Sequence, residues 1–387
     1  MTFFPNLRFP GFEDEWEEKK LGEIATFSKG KGISKNEIVD NGETECIRYG
    51  ELYTFYEEVI SEIQSKTNTD ISSLVLSEAN DVIIPASGET QIDIATASCV
   101  LKSGVALGGD LNIIKTKNNG IFLSYYLNSK KKLEIAKLSQ GISVVHLYSS
   151  QLALLNLKLP QFEEQEKLAN FLSLLNSRIQ TQKKIIEQLE TLMKGNLEKI
   201  FRQKLRFKNK QGNYFSIWKT MKLDEICDIK KGEQLNKDDL TESGNYPCLN
   251  GGMSFSGYTD KFNSDENTIT ISEGGNSCGF VNFMKSKFWL GGHCYKIILK
   301  KDISKDFLFH LLKFYEREIM NLRVGSGLPN IQQKDLKNLQ LLISEDIEEQ
   351  NKIANFLSFI QEKIETEKQI LEKLELQKKF LLGNLFV

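Results

Sequence analysis

EEQEKLANFLS (Glu163–Ser173) returns 185 residues later as EEQNKIANFLS (Glu348–Ser358), changed at only two of eleven positions. So close a match within one chain means duplication, and the remainder is therefore read as two copies of one unit. Upstream, Leu7-Arg8-Phe9 reappears as Leu205-Arg206-Phe207. Trp16, Leu21, Glu23, Ile24, Lys29 and Gly30 meet Trp218, Leu223, Glu225, Ile226, Lys231 and Gly232 at a constant separation of 202 residues. Cys46, Gly50 and Tyr56 keep that separation from Cys248, Gly252 and Tyr258. DVIIPASGE (Asp81–Glu89) answers NTITISEGG (Asn267–Gly275), which sets Gly88 against Gly274, and Gly108-Gly109 answers Gly291-Gly292. Apolar helices are expected from Phe122 and from Phe307, each running toward a glycine, Gly141 or Gly325.

Each copy thus consists of a strand-rich part with many Gly, Ile, Phe and Tyr, followed by a long charged helix. In the first helix Leu168, Leu172, Leu175, Ile179, Ile186, Leu189 and Met193 step by fours, threes and one seven. That is the 3.5-residue period of a coiled coil. Ile353, Leu357, Ile360, Ile364, Leu371 and Leu374 repeat it, and Gln182 and Glu367 interrupt the two seams at equivalent places. A helix from Glu163 to about Ile200 is roughly 55 Å long. Glu163, Glu164, Glu348 and Glu349 suit the positive helix starts. The seams imply that the helices pair with each other; the alternative is that each covers its own domain separately. The fold class expected is α+β: two mixed, strand-rich domains separated and joined by two long helices in an antiparallel coiled coil, with a pseudo-two-fold repeat. The segments expected are 1–155, 156–204, 205–342 and 343–387.

Composition sets the outer limits. A chain of 387 residues with 40% hydrophobic content has room for two or three cores. Met1–Gly11 lacks a signal-like apolar segment and no stretch approaches membrane-span length, so the expected compartment is the cytoplasm. Six cysteines show no CxxC spacing and only three histidines are present, which argues against a zinc cluster or a disulfide framework. Net charge is −2, so any contact with nucleic acid must come from local patches. The clearest basic run, Lys199–Lys210, fits a solvated helix end as well as a phosphate contact.

Catalytic motifs are missing where an enzyme would need them. The six prolines include no adjacent pair, so there is no Asn/Asp-Pro-Pro-aromatic loop for gripping a flipped base. Gly30-Lys31 is followed by Gly32 and lacks the upstream glycine of an ATPase loop. The glycine pairs never complete a dinucleotide-binding fingerprint and read as turns.

Taken together, LRFPGFEDEW at the start, KLGEIATFSKG and KLDEICDIKKG, GSGLPNIQQKDLKNLQL (Gly325–Leu341) and the twin EEQxKxANFLS helices resemble the specificity subunits of type I restriction-modification systems. The first copy departs at GISVVHLYSSQL (Gly141–Leu152), so a role for Asn330 does not transfer to His146. The resemblance implies two target-recognition domains, each reading half of a split DNA sequence, with the helices as spacer and docking platform. It also implies two modification subunits that methylate adenine with S-adenosylmethionine, and two restriction subunits that use ATP and Mg. No cofactor is then expected on this chain. Because the copies differ most between Lys31–Ser65 and Glu233–Asp265, the two half-sites should differ and the target should not be a palindrome.

Polar groups beside turn glycines are the candidate DNA contacts. Lys29, Lys31, Lys230 and Lys231 suit phosphates, which give affinity without sequence information, although ordinary turn lysines look the same. Arg48 and Tyr49, with Asn250 in place of Arg48, suit base edges, since Arg matches guanine and Asn adenine. The loops Ser87–Thr90, with Ser87, Glu89 and Thr90, and Glu273–Ser277, with Asn276 and Ser277, follow the matched strands, and Asn330, Gln332 and Gln333 extend from the GSG turn. Competing readings are a non-DNA coiled-coil scaffold and a self-contained enzyme. The scaffold predicts no effect on genomic methylation; the enzyme needs a motif the sequence lacks.

Overall fold

In the computed structural model, residues 4–141, 144–325, 327 and 329–387 are described. Ile142, Ser143, Ser326 and Leu328 of the compared turn segments lie outside the described residues. The chain forms two compact units, residues 1–183 with 369–387, and residues 184–368. These differ from the segments read from sequence, because the two halves of each long helix pack with different globular parts.

The strands of the first unit are β1 (Glu17–Lys20), β2 (Ala25–Lys29), β3 (Thr44–Ile47), β4 (Val59–Ile60), β5 (Ser65–Thr67), β6 (Asp81–Pro85), β7 (Ser87–Gly88), β8 (Ser98–Val100), β9 (Ala106–Leu107), β10 (Leu111–Thr116), β11 (Val145–His146) and β12 (Asn156–Leu159). They build a sheet ordered β2-β10-β6-β8-β4, a smaller one ordered β5-β3-β9, and the pairs β1-β12 and β11-β7. All of β6 is buried, which is why DVIIP is a nearly continuous apolar run where a one-faced strand would alternate.

The second unit repeats this plan with β13 (Lys219–Lys222), β14 (Cys227–Lys231), β15 (Tyr246–Leu249), β16 (Gly257–Thr259), β17 (Thr268–Ser272), β18 (Val281–Met284), β19 (Trp289–Leu290), β20 (Cys294–Leu299) and β21 (Gln340–Ile343). Its sheets are ordered β14-β20-β17-β18 and β16-β15-β19, with the pair β13-β21. In both units the small sheet joins one antiparallel and one parallel neighbour to a central strand. The expected apolar helices follow, started by equivalent caps: Asn119 Oδ1 accepts from the Phe122 amide at 3.0 Å, and Ser304 Oγ from that of Phe307 at 3.4 Å.

Backbone pairing corrects one alignment. Leu111 stands opposite Pro85, and its counterpart Cys294 opposite Ser272. The Leu147 amide donates to Ala86 O at 2.9 Å, and the Ile331 amide to Glu273 O at 2.8 Å. Glu273 is therefore the counterpart of Ala86, and Gly274 of Ser87 instead of Gly88. Both strands are apolar enough to tolerate a one-residue slide in sequence, and only the ladder fixes the register.

The first long helix spans Phe162–Phe201 and the second Ile347–Asn384. In the first unit Leu168 and Leu172 share a core with Trp16, Phe122 and Leu157, and Phe386 closes it, 5.5 Å from Phe122 and 5.6 Å from Tyr126. Lys378 Nζ donates to Asn176 Oδ1 at 2.9 Å and Lys183 Nζ lies 3.2 Å from Glu375, so the two helix segments there run antiparallel. In the second unit the plug is Phe201, 5.8 Å from Phe307 and 6.0 Å from Trp218, with Ile353, Leu357, Ile360 and Ile364 in the same core. Each unit starts one long helix and receives the end of the other. Leu168, Leu172, Ile179, Ile186, Ile353, Leu357, Ile360, Ile364 and Leu374 are buried; Leu175, Leu189 and Leu371 are half-buried. One stripe both pairs the helices and covers the domains, so the two alternatives weighed from sequence coexist.

Candidate nucleic-acid interface

In the first unit the ends of β2, β3 and β10 converge. The amides of Gly30, Lys31 and Gly108 donate to Leu111 O, Leu107 O and Ile47 O at 3.0, 2.9 and 2.9 Å. A Cβ on Gly30 would stand 2.0 Å from Gly108 O, so no side chain fits there. This crossing presents Lys29 and Lys31, both exposed, and Lys29 Nζ lies 5.9 Å from the Tyr148 ring centre. Arg48 leaves β3 beside it and is anchored from below. Buried Glu51 accepts from the Arg48 amide at 3.1 Å and from Ser65 Oγ at 2.7 Å, with Arg48 Nε at 3.5 Å. Tyr49 is half-buried against the Ile47 core. Ser87 is only 7% exposed, its backbone paired with His146. Glu89 and Thr90 are exposed, and Thr90 Oγ1 caps a short helix by accepting from the Asp93 amide at 3.1 Å.

The second unit builds the same crossing from Gly232, whose Cβ would meet Gly291 O at 2.3 Å. Its polar groups gather around Glu273, which is 7% exposed. Glu273 Oε1 accepts from Lys231 Nζ at 2.6 Å and from Tyr295 OH at 2.9 Å, while Oε2 stands 4.0 Å from His293 Nδ1. Burial, then the hydrogen bond to Glu273, pushes the Tyr295 phenol pKa up, so it stays a donor. Asn250 Oδ1 accepts from the His293 amide at 3.2 Å. Asn330 pairs with both Gly274 and Val324, which brings Asn330 to the same end of the sheet. Asn330, Gln332, Lys230 and Asn276 are exposed and Ser277 is half-buried. Gln333 Nε2 donates to Ile229 O, tying Gln333 to β14.

The sequence thus located the converging turns but missed what organises them. Tyr295 was not singled out, Glu273 stood only as the first residue of a candidate loop, and the one-residue misalignment hid that Glu273 replaces Ala86. A lone acidic residue at the end of the uncharged strand Thr268–Ser272 was the available signal. In the first unit Asn112 Nδ2 bonds Leu147 O at 2.9 Å, as Tyr295 OH bonds Ile331 O at 3.0 Å in the second. All six cysteines are free and buried, and burial raises every thiol pKa, those of Cys99, Cys227 and Cys294 to about 12. Among the described residues no group of three His, Cys, Asp or Glu is placed to hold a metal ion, and no helix is long and apolar enough to cross a membrane.

The duplicated α+β fold carries unlike polar clusters on equivalent turns of its two units. The family model for the type I restriction modification DNA specificity domain matches twice, at residues 13–191 and 216–376. The chain belongs to this family of type I restriction-modification DNA specificity domains. It is 36% identical over 157 residues to a putative type I specificity subunit of Mycoplasma genitalium, covering 40% of this chain and 41% of that protein. A type I restriction enzyme specificity subunit of Methanocaldococcus jannaschii is 26% identical over 414 aligned residues, 98% of this chain and 93% of that one. The matched stretch spans about two-fifths of the Mycoplasma relatives. The crystal structure of a type I system S subunit from M. genitalium shares the fold with a TM-score of 0.77 at 18% identity, over 99% of both chains.

Proposed function

We propose that the two heads, within the segments 1–155 and 205–342, read the two unlike halves of a bipartite, non-palindromic DNA target. The two helical segments, 156–204 and 343–387, act as spacer and docking platform. The observation that carries this is the replacement of Ala86 and Asp110 by Glu273 and His293 at equivalent points of one repeated crossing. Equivalent scaffolds with different hydrogen-bonding groups select different base edges. Lys29, Lys31 and Lys230 hold phosphates, and Arg48 and Asn250 face bases.

The chain works in the cytoplasm with two modification subunits, which use S-adenosylmethionine to methylate adenine, and two restriction subunits, which use ATP and Mg. One structural relative, 17% identical, comes from the complex assembly of a type I restriction-modification system, in keeping with such partners. The test is to express this chain with its modification subunit and map methyladenine genome-wide by single-molecule sequencing. A split motif that disappears with this chain is expected. Unchanged methylation without the chain sinks the proposal and favours a scaffold that does not read DNA.

A further inference from the structure

We propose that Glu273 is a positioning residue that converts Lys231 from a phosphate contact into a guanine-reading donor in the second half-site. This rests on the two-headed reading above. A lysine is normally a mobile point charge on a flexible stem, well suited to phosphate and poor at discrimination. Lys231 is different. Its ammonium, on a side chain 52% exposed, is held at 2.6 Å by a carboxylate whose side chain is only 9% exposed. The carboxylate is itself fixed by Tyr295 OH, which also bonds Ile331 O. Oε1 takes one of the three ammonium protons and leaves two facing outward, a match for the O6 and N7 acceptors of guanine.

The first head supplies the contrast. Its counterpart Lys29 has Ala86 where Glu273 would be and rests near the Tyr148 ring. The buried carboxylate there, Glu51, lies under Arg48 instead. Each crossing therefore holds a cation anchored on a buried acid, but at a different point. An ion-paired lysine has little net charge for the phosphate field, whereas Lys29 keeps its own.

The experiment uses the complex of this chain with its modification subunit and two readouts: the methylation motif and the salt dependence of DNA binding. Glu273→Gln, which keeps the shape and an acceptor for Tyr295, and Lys231→Ala should each make one specified guanine degenerate in one half-site. Preference for that base should fall roughly ten- to a hundredfold, with the other half-site unchanged. Lys231→Arg should retain guanine. Lys29→Ala should instead weaken all sequences alike and lower the salt slope by about one. The proposal is overturned if the Glu273→Gln and Lys231→Ala motifs match the parent, if the altered base is not guanine, or if Lys231→Ala only lowers the salt slope. A parent complex that yields no split motif refutes the underlying reading instead. Should Glu273→Gln fail to fold, Lys231→Ala decides alone.

Discussion

Arg8 grips the Glu164 carboxylate through two hydrogen bonds, Nε to Oε1 at 2.8 Å and Nη2 to Oε2 at 2.7 Å. Glu164 lies in the first turn of the first long helix with its side chain 2% exposed, and Arg8 is 15% exposed. The equivalent carboxylate, Glu349, has different partners: Trp218 Nε1 at 2.8 Å and Ser344 Oγ at 2.6 Å. Arg206, the counterpart of Arg8, turns instead to Phe215 O at 2.6 Å.

That difference predicts unequal sensitivity of the two units. Arg8→Ala strands a buried charge and should cost the first unit about 3 kcal/mol, read as a fall in its melting temperature of roughly 6–12 °C. Arg206→Ala removes a hydrogen bond to a carbonyl and should cost about 1–2 kcal/mol. Equal shifts would show that Arg8 does not neutralise Glu164 in the folded chain.

Phe386 packs against both Phe122 and Tyr126 and is 2% exposed. Its replacement by Ala opens a cavity in the first unit's aromatic core and should cost about 3–5 kcal/mol. Phe201→Ala should do the same to the second unit. Limited proteolysis separates them: each variant should expose cleavage sites in one unit before the other.

Burial sets a pH dependence in the second unit. His310 is 1% exposed, its Nε2 3.0 Å from Ser358 Oγ, and burial lowers its pKa to about 4. Unfolded histidine titrates near 6.5, so the unfolded chain binds more protons than the native one between those values. The stability held by neutral His310 is complete above about pH 6.5 and is lost as pH falls toward 4. The loss should reach about 3 kcal/mol. Chemical denaturation between pH 7 and 4 should show it in the parent, and His310→Gln should flatten that part of the slope.

The sequence made the architecture legible because duplication checks itself. Trp16 with Trp218 and the twin EEQ helices fixed the order of elements, and a 3.5-residue stripe fixed which helix faces turn inward. What it could not show were contacts between residues far apart in the chain. The Glu273 cluster joins β14, β17 and β20, and only backbone pairing brings Lys231, Glu273 and Tyr295 to one sheet end. Ser87 illustrates the opposite failure. It follows a strand and reads as a polar loop residue, yet β7 extends through it and buries it.

The helix pair allows a direct test of the spacer role. Heptad insertions after Leu175 and Ile360 would preserve the seam period, but those points lie within packed unit cores. Asn176 accepts from Lys378 just beyond the first, and Ile360 and Ile364 belong to the second unit's core. The unit boundaries fall at Lys183/Lys184 and Lys368/Gln369, where an insertion leaves both cores intact. One heptad added at each place lengthens both helices by about 10 Å, close to three base-pair steps of about 3.4 Å. The methylation motif should then keep both half-sites and gain about three unspecified positions between them. An unchanged gap would mean that the helices do not set the spacing, and altered half-sites would mean that the insertion reaches the reading heads.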